Sequence, residues 1–175
     1  MTPEELNEAV QNGKLNEAAA KLEQQRAEAT ARGDAKETAT VANDLGVVYY
    51  LAGQSAQARA ALENAREGFM QANDSVGRAR ALGNLARLEE KTGDRKAALA
   101  LYQQAIDLFH DANEHADEFA TLRSLSQLYL KMGGWIQALA TYDRALMIKP
   151  HRGLLDNFLH WLYQIPLRML GMGSA

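Results

Sequence analysis

Two features of this sequence have residue types and spacings that invite chemistry. The first is His110-Asp111…Glu114-His115…Glu118, which has the composition of a metal-ligand set. A helix presents two histidines to one ion when they lie a turn apart. Here they lie five apart, with Asn113, a turn residue, between them. The spacing predicts a charged hairpin turn, and no metal ligand is assigned. The second is Glu89, in a register that holds Tyr49 and Tyr129 elsewhere. Buried, it would be a carboxylate with a shifted pKa; the expected arrangement is a half-covered stem with its head in water. No glycine-rich phosphate loop, GxSxG elbow or HExxH occurs. The chain lacks cysteine, and with it thiolate chemistry and disulfides. Neither a catalytic residue nor a cofactor is expected.

What must position these residues is a motif repeated at a fixed distance. It reads Leu45-Gly46…Tyr49…Gly53…Ala58…Leu62…Ala65, then Leu85-Ala86…Gly93-Asp94…Ala98…Tyr102…Ala105, then Leu125-Ser126…Tyr129…Gly133…Ala138…Tyr142…Ala145. The glycines step by forty residues, and a weaker copy sits at Gly13…Ala18…Leu22. A second ladder, Gly33-Asp34, Asn73-Asp74 and Asn113-Glu114, keeps the same step. Two turn signals per repeat, with roughly eighteen helix-forming residues between them, specify a stack of helical hairpins. A hydrophobic content of 47%, mostly Ala and Leu, favours helix and is enough for a continuous core. A net charge of −3, with no Lys/Arg-rich run and no basic residues interleaved with aromatics, argues against a nucleic-acid partner.

Thr2-Pro3-Glu4-Glu5 reads as a helix start, with Thr2 and Glu5 forming a capping box. Helices are expected at about 3–12, 14–32, 35–52, 55–72, 75–92, 95–112, 115–132 and 135–149. Asp34, Ser55 and Asp74 read as N-terminal caps, and Gly53, Gly93 and Gly133 as left-handed C-terminal caps. Ala18, Ala58, Ala98 and Ala138 fall in register where two helices can approach closely. One hairpin alone would leave its apolar face wet, so stability is expected from neighbour-to-neighbour interfaces.

The small–Gly–Tyr–Ala–aromatic–Ala pattern, ending in Tyr142-Asp143-Arg144-Ala145-Leu146…Lys149-Pro150, resembles the tetratricopeptide repeat. It covers about residues 3–150, and its forty-residue spacing is similar to the longer-helix variety found in kinesin light chains and many bacterial regulators. Glu89 departs from the tyrosine register, and Ala86 and Ser126 replace the small Gly46. The resemblance implies an all-α right-handed solenoid of about four helix–turn–helix repeats, with segments at about 3–33, 35–73, 75–113 and 115–150. Residues 1–150 then form the repeat domain, and 151–175 a C-terminal hydrophobic helix. It also implies that the first helix of each hairpin lines a concave groove. The groove residues so identified are Asn43, Asp44, Val47, Tyr50, Arg80, Asn84, Arg87, Lys91, Arg123, Gln127 and Lys131. Arginine on a rigid wall suits a bidentate grip on carboxylates, and Asn84 suits a peptide backbone. The expected partner is a protein with an acidic or carboxylate-bearing segment; the competing reading is ordinary solvated charge, some of it paired with Glu90 or Asp44. Tetratricopeptide domains that clamp the acidic tails of heat-shock chaperones use Lys, Asn and Arg across three repeats. Asn84 matches one such position, but Val47, Ala120 and Ser124 depart from others.

After Pro150 the character changes. Leu154, Leu155, Phe158, Leu159, Trp161, Leu162, Tyr163, Ile165, Leu167, Met169, Leu170 and Met172 crowd a stretch whose formal charges are Arg152, Asp156 and Arg168. Three readings stand: a helix capping the last hairpin, a docking surface for a partner or second copy, or contact of 151–172 with a membrane surface. The docking residues would be Leu155, Phe158, Leu159, Trp161, Leu162 and Ile165. A full span is disfavoured, because the segment barely reaches about 20 apolar residues, and Pro166 should kink or end the helix near Ile165. The function expected is a non-enzymatic interaction adaptor. The alternatives are a membrane-peripheral assembly factor anchored through this helix and a homo-oligomer built on it. The acidic opening Met1-Thr2-Pro3-Glu4-Glu5 is unlike a secretory signal, so a cytoplasmic location is expected, membrane-peripheral if the helix meets a bilayer.

Overall fold

The computed structural model describes residues 2–149 and 153–169, apart from the side chains of Pro3, Gln164 and residues 166–169. Among them are the helices α1 (Pro3–Gln11), α2 (Leu15–Arg32), α3 (Ala35–Leu51), α4 (Ser55–Gln71), α5 (Ser75–Thr92), α6 (Arg95–Asp111), α7 (His115–Lys131), α8 (Trp135–Ile148) and α9 (Leu154–Met169), and no strand. The expected all-α repeat fold is present. By packing, the chain forms two compact units, residues 1–101 and 102–175, with the boundary inside α6.

The turns explain the helix lengths. Gly13, Gly33, Gly53, Asn73, Gly93, Asn113 and Gly133 all have positive φ, between 53° and 99°. They fall twenty residues apart, and Gly and Asn are the residues that enter this left-handed region at least cost. At six of these turns the next N–H reaches the carbonyl five residues back at 2.8–3.1 Å, as from Gln54 to Tyr49 and from Asp74 to Phe69. That closure satisfies carbonyls the helix end would otherwise leave bare. Asp34, Asp74 and Asp94 cap the following helices by accepting from the amides of Glu37, Gly77 and Ala97 at 2.8–2.9 Å. Ser55 does not cap: it is the first residue of α4, and Gln54 before it makes no side-chain cap bond. The capping box of Thr2 and Glu5 forms in both directions.

In the first unit each helix packs on the next, and α3 also reaches α5. The core is a chain of clusters, each fed by consecutive helices. Leu22 of α2 meets Val41, Leu45 and Val48 of α3 and Ala61 of α4. Ala39 and Ala42 meet Ala65, Phe69 and Ala81, and Ala58 and Leu62 meet Leu85 and Leu88. Each buried leucine contributes about 1.5–3 kcal/mol, all of it through its neighbours. Gly46 sits where a Cβ would lie 2.4 Å from Leu62 Cγ, so α3 and α4 touch almost backbone to side chain.

In the second unit the core comprises Tyr102, Ile106 and Phe109 of α6, Leu122, Leu125 and Leu128 of α7, and Ala138, Ala145 and Leu146 of α8. Ser126 stands in the Gly46 register, and its hydroxyl donates to the Ala138 carbonyl at 2.8 Å, which makes the polar replacement tolerable. The helix α9 packs on α8. It continues past Pro166 to Met169 rather than ending near Ile165, forfeiting the one bond for which proline has no N–H.

Candidate functional site

In the first unit, five of the candidate groove residues meet across α3 and α5. Asn84 Nδ2 donates to Asn43 Oδ1 at 2.9 Å. Lys91 Nζ donates to the Tyr50 carbonyl at 2.9 Å and lies 4.4 Å from the centre of the Tyr50 ring. Arg87 Cζ lies 5.5 Å from the same ring centre. Partners across these two contacts are 41 residues apart, one repeat plus one residue. That offset is what stacking two copies of the same helix produces. Val47 lies on the same stretch of α3, half-buried, and Arg80 is exposed near the start of α5, where its charge helps hold the Asp74 carboxyl below its ordinary range. The larger causes of that lowering are the bond from Lys36 and the amide of Gly77.

Asp44 is the acidic member of this wall. Burial pushes its carboxyl above the ordinary range, and a hydrogen bond with the Asn43 side chain holds it partly back. A raised native pKa means the folded chain holds this proton more tightly than the unfolded chain, so ionisation costs stability as pH rises. Asp44→Asn is therefore expected to raise the melting temperature at neutral pH by about 2–4 °C. The gain should shrink as pH falls through the native pKa of Asp44, as thermal melts followed by circular dichroism at several pH values will register.

The remaining groove candidates belong to the second unit. Arg123 is exposed on α7, its Cζ 5.7 Å from the Phe119 ring centre. With Gln127 it edges a mainly apolar cavity of about 480 Å³, lined also by Leu130, Trp135, Leu139, Tyr142 and Tyr163. Lys131 ends α7 and is exposed.

Among the described residues the carboxylates of Glu89, Glu118 and Asp143 are buried, which was not anticipated. Glu89 is buried, against the expectation of a half-exposed head, and Nη1 and Nη2 of Arg59 on α4 donate to its two carboxylate oxygens. The bond to Glu89 keeps the Arg59 pKa above its ordinary value. Arg59 lies thirty residues before Glu89, so no local spacing announces the pair. Glu118 is fully buried, and Arg144 of α8 approaches it at 3.2 Å, His110 at 3.3 Å and His115 at 3.8 Å. The histidine-rich turn is thus a staple joining α6, α7 and α8 through one carboxylate.

A tetratricopeptide repeat family model matches residues 37–111 and 77–150, which together span more than half of the chain. The chain belongs to the tetratricopeptide repeat family. Comparison with curated protein sequences found no match. Among solved structures, a putative kinesin light chain from Podosopora anserina with nearly identical TPR-like repeats has a TM-score of 0.72 at 21% identity, over 96% of this chain and 84% of that one. BtubC (BKLC) from P. vanneervenii has a TM-score of 0.70 at 22% identity, over 81% of this chain and 62% of that one. At these identities the likeness is one of fold.

Beyond the residues matched to the tetratricopeptide repeat, α9 carries a largely apolar exposed surface. Leu155, Phe158, Trp161, Leu162 and Ile165 are all exposed, and Leu159 alone of the expected docking set is half-buried. Contacts to α8 and to Lys149 at its C-terminal end instead come from the other side: Asp156 to Lys149 at 2.8 Å, His160 to Asp143 at 2.5 Å, and Tyr163 edge-on to Tyr142 with ring centres 5.9 Å apart. Arg152, Leu170 and Met172, and the side chains of Leu167, Arg168 and Met169, lie outside what is described. No helix among the described residues is long and apolar enough to cross a membrane.

Proposed function

We propose that this tetratricopeptide repeat chain is a non-enzymatic protein-interaction scaffold whose first-unit groove holds an acidic or carboxylate-bearing segment of a partner protein. Repeat stacks of this family are generally interaction modules, and the ligand class follows from the wall chemistry. The observation that carries it is the pair of cations, Arg87 and Lys91, ordered against one ring, that of Tyr50. Side chains already held in place lose less entropy on binding, so each carboxylate contact contributes more. Seven residues nearer the start of α3 than Tyr50, about 10 Å along the axis, the linked amides of Asn43 and Asn84 suit a peptide backbone. Asp44 at that end repels a second carboxylate and so sets the direction in which the segment lies. In the second unit, Arg123 beside the apolar cavity suits a carboxylate next to a large apolar side chain.

The test is binding of a fluorescent library of acidic peptides, with free and amidated C-termini, to wild type and to an Arg87→Glu, Lys91→Glu variant. The variant is expected to bind selected peptides at least about tenfold more weakly, and wild-type binding to weaken with salt. Equal affinities for both proteins would remove the groove from consideration.

A further inference from the structure

The helix α9 is mounted with its polar side inward. The face toward α8 is made by Asp156, His160 and Tyr163, matched to Lys149 just past the end of α8 and to Asp143 and Tyr142 on it. The opposite face presents Leu154, Leu155, Phe158, Trp161, Leu162 and Ile165 at exposures from 41% to 89%. Those six side chains offer roughly 600–700 Å² of apolar surface, close to the ~800 Å² per partner of a standard specific interface. A solvated terminal helix would have the reverse arrangement.

Spacing and charge say what fits. Leu155, Phe158, Leu162 and Ile165 step by three, four and three, the seam of a helix that packs against another helix lengthwise. Between Leu154 and Ile165 there is no lysine or arginine, and the one aspartate, Asp156, is held by Lys149. Helices that lie on bilayers display basic residues beside the apolar face; among the described side chains of α9 none is a lysine or arginine, and its polar side is turned to α8. An uncharged strip meets its own copy without repulsion, and a two-fold pairing buries both at once.

We propose that α9 pairs with α9 of a second copy of this chain, its apolar strip forming a helix-to-helix homodimer interface. The strip shares no residue with the first-unit groove candidates, so the proposal is independent of the peptide reading.

Sedimentation velocity of the full chain over a concentration series tests this, with a Phe158→Asp, Leu162→Asp variant alongside. Wild type is expected to sediment as a dimer that dissociates on dilution. The variant should remain monomeric to at least about tenfold higher concentration, with unchanged helix content. Because the chain has no cysteine, single variants give a second readout that does not depend on the charged variant folding. Leu162→Cys, on the strip, should cross-link two chains on mild oxidation, and Asn157→Cys, exposed off the strip, should not. A wild type that is monomeric throughout, or equal cross-linking at both positions, overturns the proposal. So does flotation of monomeric wild type with phosphatidylcholine/phosphatidylglycerol vesicles that the Phe158→Asp, Leu162→Asp change abolishes, since that outcome gives the strip to a bilayer.

Discussion

Arg59→Ala is expected to destabilise the protein by about 2–3 kcal/mol, because it strands the Glu89 carboxylate inside the first unit. The side chain of Glu89 is 7% accessible. Besides the guanidinium, the Thr92 hydroxyl faces it, at a long 3.4 Å. Removing one partner of a buried ion pair costs the desolvation of the charge left behind, which exceeds the worth of the bond itself. The expected figure stays at the lower end because Arg59 is itself 42% exposed, so water already screens that side of the pair. Arg59→Met, Glu89→Met should recover most of the loss, since no charge is then left buried. Urea titrations of the three proteins by circular dichroism decide it. A single variant as stable as wild type would mean that the guanidinium is not what keeps Glu89 inside.

Leu62→Ala is expected to cost about 3–4 kcal/mol through the cavity it opens between α3, α4 and α5. Its interaction with Gly46 is the more telling result. A methyl group at position 46 would lie 2.4–2.5 Å from Leu62 Cγ and Cδ2, against 3.4 Å from the Ala58 carbonyl oxygen. Gly46→Ala alone therefore overpacks, at about 1–3 kcal/mol, despite alanine's better helix propensity. In the Leu62→Ala background the same methyl group enters vacated space, and the second substitution should be neutral or stabilising. A double-mutant cycle by thermal or urea unfolding measures this coupling. Additive effects would show that α3 and α4 do not meet at Gly46.

How much was legible in the sequence follows the range of each interaction. The turns were legible because a left-handed residue is a local requirement that Gly or Asn meets alone, and the ladders at Gly53 and Asn73 announce it. Ser55 misled because a hydroxyl near a turn suits a cap, yet the helix already begins at Ser55. That Asn43 and Asn84, or Tyr50 and Lys91, lie near each other was legible as a stripe because the repeat places equivalent positions side by side. Glu89 was misjudged because its cation is on another helix, thirty residues away. The composition of α9 said that it was apolar, but not which side would face α8. His160 and Asp143 are ordinary polar residues until packing brings them to 2.5 Å.

By itself, then, the sequence determined the helices, their period and the repeat family, because these depend on backbone conformation and on apolar residues recurring within one or two turns. Only the tertiary structure decided which charges are paired, which carboxylates are buried and which face of α9 is left to solvent. Those outcomes turn on contacts between helices at angstrom precision, where a buried charge is stable beside its partner and costly without it.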